Sequence, residues 1–276
     1  MCPDSSYLSG VTDVRPEATW KDLVLPKQVI ERLHEFILWM THRQQVEQWG
    51  ARLMGGPTAL FSGPSGTGKR FSAEVIANAL DRSLFRVDLG LLVSKYIGET
   101  EKNLDALFDA AANEGAMLLF DEADSLFGKR SDVKDAHDRY ANLETNYLLA
   151  RIERCNSPCI LTSNMSRQID PAFIQRVQMV IDFPAPDGRA RSRLWRIHLP
   201  AKAPREKGLN LGLIGKQLVL TGGQISNAAL YAAFLAAGDS APIGWKHIAK
   251  AALREISKTG TEKPEENLGS LRQHLG

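Results

Sequence analysis

The chain has 276 residues, of which 43% are hydrophobic, and its 34 lysines and arginines nearly balance its 32 aspartates and glutamates. A formal net charge of +2 excludes a global field that would draw the protein onto nucleic acid or an anionic membrane. The three cysteines, Cys2, Cys155 and Cys159, lack partners at zinc-ligand spacing, which favours reduced thiols over a disulfide framework. No apolar run approaches about 18 residues, and the first residues show no leader pattern, so we expect a cytoplasmic protein without a membrane span.

Residues 1–50 are expected to form an N-terminal segment built around one amphipathic helix. Residues 1–19 are polar and rich in turn formers, whereas apolar residues recur at helical spacing from about Pro26 to Trp49. The sequence Gly55-Gly56-Pro57 then ends this pattern.

Residues 51–186 contain five short apolar runs separated by helical segments. This pattern is typical of a parallel sheet whose strands are joined by crossover helices. The predicted strands are 58–62, 84–87, 116–120, 159–162 and 177–183. Beyond them the pattern is only helical, which predicts a small all-α domain over 187–257, followed by a loose polar tail over 258–276.

The first predicted strand ends in a glycine-rich loop that precedes a predicted helix from about Arg70. The loop matches the pattern G-x-x-x-x-G-K, in which glycines let backbone N–H groups curl around phosphates at the positive end of a helix dipole. A plain surface loop is the alternative, and the position between strand and helix disfavours it. The residues expected to bind nucleotide are Gly63, Pro64, Ser65, Gly66, Thr67, Gly68, Lys69 and Arg70.

Two carboxylates follow the third predicted strand directly, at Asp121 and Glu122. With a phosphate loop upstream, the first can hold magnesium and the second can orient and deprotonate an attacking water. The alternative, a surface Asp-Glu pair that caps the next helix, is less favoured in that context.

Four segments together resemble the AAA family of ATPases in order and spacing. They are Gly63 to Lys69, Ser94 to Leu104, Phe120 to Arg130 and Leu161 to Asn164. The resemblance covers about residues 20–257 and is strongest to small bacterial AAA proteins, including the type found with contractile injection systems. It implies a P-loop NTPase fold, in which a three-layer α/β sandwich with a five-stranded parallel sheet is followed by an all-α lid. It also implies that the cofactors are ATP and Mg²⁺.

Carried over by position, the resemblance implies roles for further residues. Lys69 resembles the Walker A lysine, Asp121 the metal-binding acid and Glu122 the catalytic acid of Walker B. Asn164 resembles the sensor that holds the attacking water, although a polar loop cap is the alternative. Arg176 resembles the arginine finger that reaches a neighbouring subunit, although a surface salt bridge is the alternative for this residue.

The implied partners are ATP, further copies of the chain and a protein substrate. The family forms homo-oligomeric rings, so a hexamer is expected, and Tyr96 resembles the central pore loop that grips a polypeptide. A Tyr buried at a helix start is the alternative. The basic cluster Arg189, Arg191, Arg193 and Arg196 alternates with apolar residues, which favours a solvated helix face over a nucleic-acid site.

Three departures from the family pattern put hydrolysis in question. Arg70 stands where a Ser or Thr hydroxyl usually ligates magnesium, and a guanidinium has no lone pair for a metal. Gln175 and Ser226 stand where related proteins often carry arginines. The leading hypothesis is an ATP-driven machine that remodels or disassembles a protein substrate. The alternative is a nucleotide-binding assembly module with weak or no hydrolysis.

Overall fold

A computed structural model of the protein describes residues 10–53, 55–89, 99–126, 147–164, 174–260 and 262–275. The chain divides into two compact units. The first comprises Met1–Pro64 and Lys69–Phe183, and the second comprises Ser65–Gly68 and Pro184–Gly276.

The described part of the first unit contains a six-stranded mixed sheet with the order β1-β3-β4-β5-β2-β6. The strands are β1 (Val11–Val14), β2 (Thr58–Ser62), β3 (Leu84–Val87), β4 (Met117–Phe120), β5 (Cys159–Ser163) and β6 (Met179–Asp182). Strands β2 to β6 pair in parallel, as predicted, whereas β1 pairs antiparallel with β3. The expectation of five strands, all parallel, is therefore wrong by one antiparallel edge strand.

The additional strand β1 has only four residues and lies in a stretch that the sequence marks as polar and turn-rich. Thr12 and Asp13 are exposed, so the segment lacks the apolar run on which the other strands were predicted. Its extended state comes from pairing with β3, where Val11 lies opposite Val87 and Val14 opposite Leu84. Strand formation that depends on a neighbour in this way is not visible in local sequence.

Both faces of β2, β4 and β5 are buried, which explains their continuous apolar runs. On one face, Leu60, Leu118 and Phe120 pack with Leu107 and Ile152. The opposite face carries the alternate residues of the same strands in a second cluster, which includes Ala59, Phe61, Met117, Leu119, Leu33, Phe36 and Ile76. Helices therefore cover the sheet on both sides, and this unit has three layers.

The helices that cover the sheet are α1 (Lys27–Thr41), α3 (Lys69–Ala79), α4 (Glu99–Glu114) and the helical residues 147–154. A short helix α2 (Arg43–Gln48) follows α1. The single helix expected from Pro26 to Trp49 is thus divided at His42, whose φ of −105° and ψ of 5° are not helical. Val46, the one apolar residue of α2, does not reach the core, since no residue of α2 is buried.

The second unit contains α5 (Gly188–His198), α6 (Leu211–Gln217), α7 (Gly222–Gly238), α8 (Trp245–Ser257) and a 3₁₀ segment (Pro264–His274). An isolated parallel bridge joins Arg205 and Ile243. The Asp187 carboxylate caps α5 through the Ala190 N–H at 2.7 Å, as the helix start requires. Among the described residues, no helix combines the length and apolar character needed to cross a membrane.

Two features of the second unit differ from the sequence-based expectation. The segment expected to be a loose tail contains Leu268 and Leu271, three residues apart, and both are buried in the core with Trp195. The basic cluster on α5 is not wholly solvated, because Arg191 is buried. Its Nε donates to Gly215 O at 2.8 Å and its Nη1 donates to Pro186 O at 2.6 Å, so this arginine joins α5 to α6 and to the segment before α5.

Candidate nucleotide site

Lys69 begins α3 and points its ammonium back over the glycine-rich loop. Nζ donates to Gly63 O at 2.6 Å, to Pro64 O at 2.9 Å and to Asn164 Oδ1 at 3.0 Å. Burial lowers the pKa of Lys69, while the nearby carboxylates of Asp124, Asp121 and Glu122 act in the opposite direction. The loop therefore holds a buried amine surrounded by acceptors, and the structure brings together two of the residues singled out from the sequence, Lys69 and Asn164.

Asp121 and Glu122 come directly after β4, where the chain turns sharply. Glu122 has a φ of +51°, which a non-glycine residue rarely adopts. Its N–H donates to Thr162 Oγ1 at 2.9 Å, and this hydroxyl donates to Asp121 Oδ1 at 2.6 Å. One buried threonine on β5 therefore fixes both the backbone of Glu122 and the carboxylate of Asp121.

Asp124 fixes the residue that faces Lys69. It lies in a 3₁₀ turn, Ala123–Leu126, that follows β4. Its Oδ1 accepts a hydrogen bond from Ser163 Oγ at 2.5 Å and one from the Asn164 N–H at 3.0 Å. Asp124 thus holds the end of β5 in the position from which the Asn164 amide reaches Lys69.

No individual role was expected from the sequence for Thr162, Ser163 or Asp124. A signal for them was nevertheless present, because Thr162, Ser163 and Asn164 are consecutive polar residues at the end of an apolar run. Strands β4 and β5 are parallel neighbours, so their carboxyl ends meet at one edge of the sheet. Polar groups that follow both strands are therefore expected to pair there.

Arg70 is the second residue of α3, and it forms an ion pair with Asp121. Nη1 lies 3.7 Å from Asp121 Oδ2, with 56% of the arginine side chain and 26% of the aspartate side chain exposed. The Asp121 carboxylate is an oxygen ligand of the kind that Mg²⁺ prefers. Arg70 offers no lone pair, so the donor set of this site fits the ion only in part.

Two glycines of the loop have backbones that other residues would not tolerate. Gly63 has a φ of +136°, and a Cβ atom there would lie 2.2 Å from the backbone oxygen of Phe183. In the second unit, Gly66 has a φ of +75°, and its carbonyl accepts a hydrogen bond from the Gly223 N–H at 3.0 Å. The pattern of glycines therefore reflects close backbone approach as well as the space that a phosphate needs.

Arg176 lies away from the residues described so far. It precedes β6, at the amino ends of the parallel strands, whereas Asp121 follows the carboxyl end of β4. Its Nε lies 3.4 Å from Glu153 Oε1, and both side chains are 43% exposed. Within one chain, Arg176 therefore forms the surface ion pair that was considered as an alternative to the arginine finger.

Gln175, Ser226 and Tyr96 were also singled out from the sequence. Gln175 is exposed beside Arg176. Ser226 lies in the first turns of α7, in the second unit. Tyr96 lies outside the described residues, so its expected role in a pore loop stays a prediction.

Known proteins are similar to this chain over much of its length. Residues 59–185 match the ATPase family associated with various cellular activities (AAA). The chain is 30% identical over 221 residues to the proteasome-activating nucleotidase of Thermococcus kodakarensis and 32% identical to that of Pyrococcus furiosus, covering 77% of this chain and 55% of each relative. It is 28% identical to the 26S proteasome regulatory subunit 7 homolog of Saccharomyces cerevisiae, covering 77% of this chain and 47% of the relative.

The chain therefore spans about half the length of the curated relatives it matches. These relatives are named for the proteasome, and the association with contractile injection systems is not supported by them. AAA ATPases use ATP with Mg²⁺, which agrees with the expected cofactors. Residues 59–185, which include Lys69, Asp121 and Asn164, therefore form a region that matches the AAA family of ATPases.

Proposed function

We propose that the chain works as an ATP-driven machine that remodels or unfolds a protein substrate as part of an oligomeric ring. The observation that carries this proposal is the contact of Lys69 with Asn164, beside Thr162, which holds the Asp121 carboxylate and the Glu122 backbone. The relatives named as proteasome-activating nucleotidases support a protein substrate. Tyr96 is proposed to contact that substrate, and a hexamer is the proposed assembly.

The proposed roles follow from the chemistry of each group. Lys69 is the cation that faces the β- and γ-phosphates of bound ATP. Glu122 orients and deprotonates the attacking water, and the Asn164 amide holds that water in line. Bound Mg²⁺ would neutralise phosphate charge, and Asp121 is the residue that would hold it.

Arg176 is proposed to act on the ATP of a neighbouring subunit. Arg176 lies at the amino ends of the parallel strands, whereas Asp121 lies at their carboxyl ends. This position prevents a role at the site of its own chain, and it supports a role across an interface. An exposed ion pair such as that with Glu153 contributes only about 0–1 kcal/mol. Release of Arg176 from Glu153 therefore costs little compared with a bond to a phosphate.

The proposal is tested by ATP binding and turnover of the purified protein. Lys69→Ala is expected to abolish binding, because the loop loses its side-chain cation. Glu122→Gln is expected to keep binding and lose turnover, since the amide preserves the shape without the base. Arg176→Ala is expected to lose turnover while Glu153→Gln keeps it. Wild-type turnover in Glu122→Gln or Arg176→Ala would show that the role of that residue is wrong.

The alternative function is a nucleotide-binding assembly module with weak or no hydrolysis. The ion pair between Arg70 and Asp121 favours it, because it occupies the carboxylate that would hold the metal. Turnover that is absent in the native protein and restored by Arg70→Thr would support this alternative.

A further inference from the structure

The carboxylate that would hold magnesium is engaged on both oxygens by side chains of this chain. Thr162 Oγ1 donates to Asp121 Oδ1 at 2.6 Å, and Arg70 Nη1 lies 3.7 Å from Asp121 Oδ2. A cation that binds Asp121 must therefore compete with a guanidinium that is already there. Within the described residues, the ion pair of Arg70 is with Asp121.

Arg70, which would compete with a metal ion for Asp121, carries a permanent positive charge. A guanidinium cannot be deprotonated in a protein, so Arg70 cannot become neutral to admit a divalent ion. It can only swing away, and its 56% exposure leaves solvent into which it can move. A divalent ion bound to Asp121 would repel the guanidinium at close range. The metal and Arg70 therefore exclude each other at this carboxylate.

The same group has the chemistry to bind phosphate. A guanidinium has five N–H donors in a planar fork that matches phosphate oxygens, and one contact to Asp121 leaves others available. Arg70 follows directly after Lys69, whose ammonium already lies over the glycine-rich loop. Two adjacent cations therefore stand at the start of α3, where the helix dipole also favours an anion.

We propose that Arg70 replaces part of the role of magnesium, so that this domain binds ATP with little dependence on a divalent cation and binds the cation itself weakly. The inference rests on the proposed function in one respect, namely that nucleotide binds at the loop Gly63–Lys69. It adds that Arg70 is the residue that sets the metal requirement of this site.

The first measurement is the affinity for a fluorescent ATP analogue, with excess Mg²⁺ and with EDTA. The native protein is expected to bind within about threefold under the two conditions, since the charge of Arg70 remains when the metal is removed. Arg70→Thr supplies the hydroxyl that ligates magnesium and removes the cation, so its affinity is expected to fall about tenfold or more in EDTA. Arg70→Lys keeps the charge and should retain much of the tolerance to EDTA.

The second measurement does not involve turnover. Binding of Mn²⁺ in the presence of ADP, followed by the electron paramagnetic resonance signal of the free ion, is expected to be at least about tenfold tighter in Arg70→Thr than in the native protein. The matched control is Arg189→Thr, which removes an exposed arginine from the second position of α5 and should change neither measurement.

Each outcome decides between the inferences. Equal losses of affinity in EDTA for the native protein and Arg70→Thr, or equal Mn²⁺ binding, would overturn the role of Arg70. If Lys69→Ala binds the ATP analogue as tightly as the native protein, the loop is not the nucleotide site, and the proposed function fails together with this inference. Loss of binding in Lys69→Ala with no effect of Arg70→Thr on metal dependence would overturn this inference alone.

Discussion

The Thr162 hydroxyl links the Asp121 carboxylate to the Glu122 backbone N–H, so removing this hydroxyl tests how the site is held. Thr162→Val keeps the shape of a buried β-branched side chain in β5, which is 1% exposed. It removes the donor to the charged Asp121 carboxylate, worth about 1.5–3 kcal/mol, and the acceptor for the Glu122 N–H, worth about 0.5–1.5 kcal/mol. Because Asp121 is partly exposed and can bind water instead, we expect a net loss of about 2–3 kcal/mol.

The assay is urea unfolding followed by circular dichroism, with the denaturant dependence compared between variants to confirm that the same transition is observed. Thr58→Val is the matched control in the adjacent strand β2. Thr58 is also buried, but its hydroxyl makes only a long contact of 3.4 Å with Gly56 O, so a loss of at most about 1 kcal/mol is expected. Equal losses in the two variants would refute the argument that the Thr162 hydroxyl bridge stabilises the site. ATP turnover should fall in Thr162→Val and persist in Thr58→Val.

Two further predictions concern the loop glycine and the buried thiols. Gly63→Ala is expected to cost on the order of 3 kcal/mol and to lose nucleotide binding, because the new Cβ would lie 2.2 Å from Phe183 O at a φ of +136°. Gly115→Ala, with a positive φ but open space around it, should cost only about 1–2 kcal/mol in the same denaturation assay, and equal costs would contradict the steric argument. Hydrogen bonds from the Cys159 thiol and from the Ser157 N–H lower the pKa of Cys155 to about 6, so its alkylation by iodoacetamide should reach half its maximal rate near that pH. Peptide mass spectrometry checks this midpoint, and a midpoint in Cys159→Ala identical to the native one would show that the thiol is not the cause.

Much of the sheet was predictable because burial on two faces leaves a clear mark on the sequence. The clearest case is Met117–Phe120, an apolar run in which every residue is buried. The additional strand β1 has no such mark, since its conformation depends on β3. The burial of Leu268 and Leu271 could not be predicted either, because two leucines in a polar stretch do not indicate which core they pack into.

The candidate site was predictable to the extent that strand ends determine positions. Lys69 follows β2, and Asp121 and Asn164 follow the neighbouring parallel strands β4 and β5, so topology alone brings them to one edge. The partners of those residues depend on side-chain rotamers, which sequence patterns do not report. The sequence therefore places polar groups at this end of the sheet, but it does not give the particular bridge through Thr162 or the ion pair of Arg70. The catalytic roles themselves stay predictions.

The antiparallel strand β1 also has a consequence for how the protein behaves in solution. It covers the outer edge of β3, whose N–H and C=O groups would otherwise form a template for strands of other molecules. Strand β1 is itself a poor template, because it has four residues and exposes Thr12 and the charged Asp13. A short charged strand of this kind disfavours intermolecular β-pairing, so β1 reduces the tendency of the sheet to aggregate.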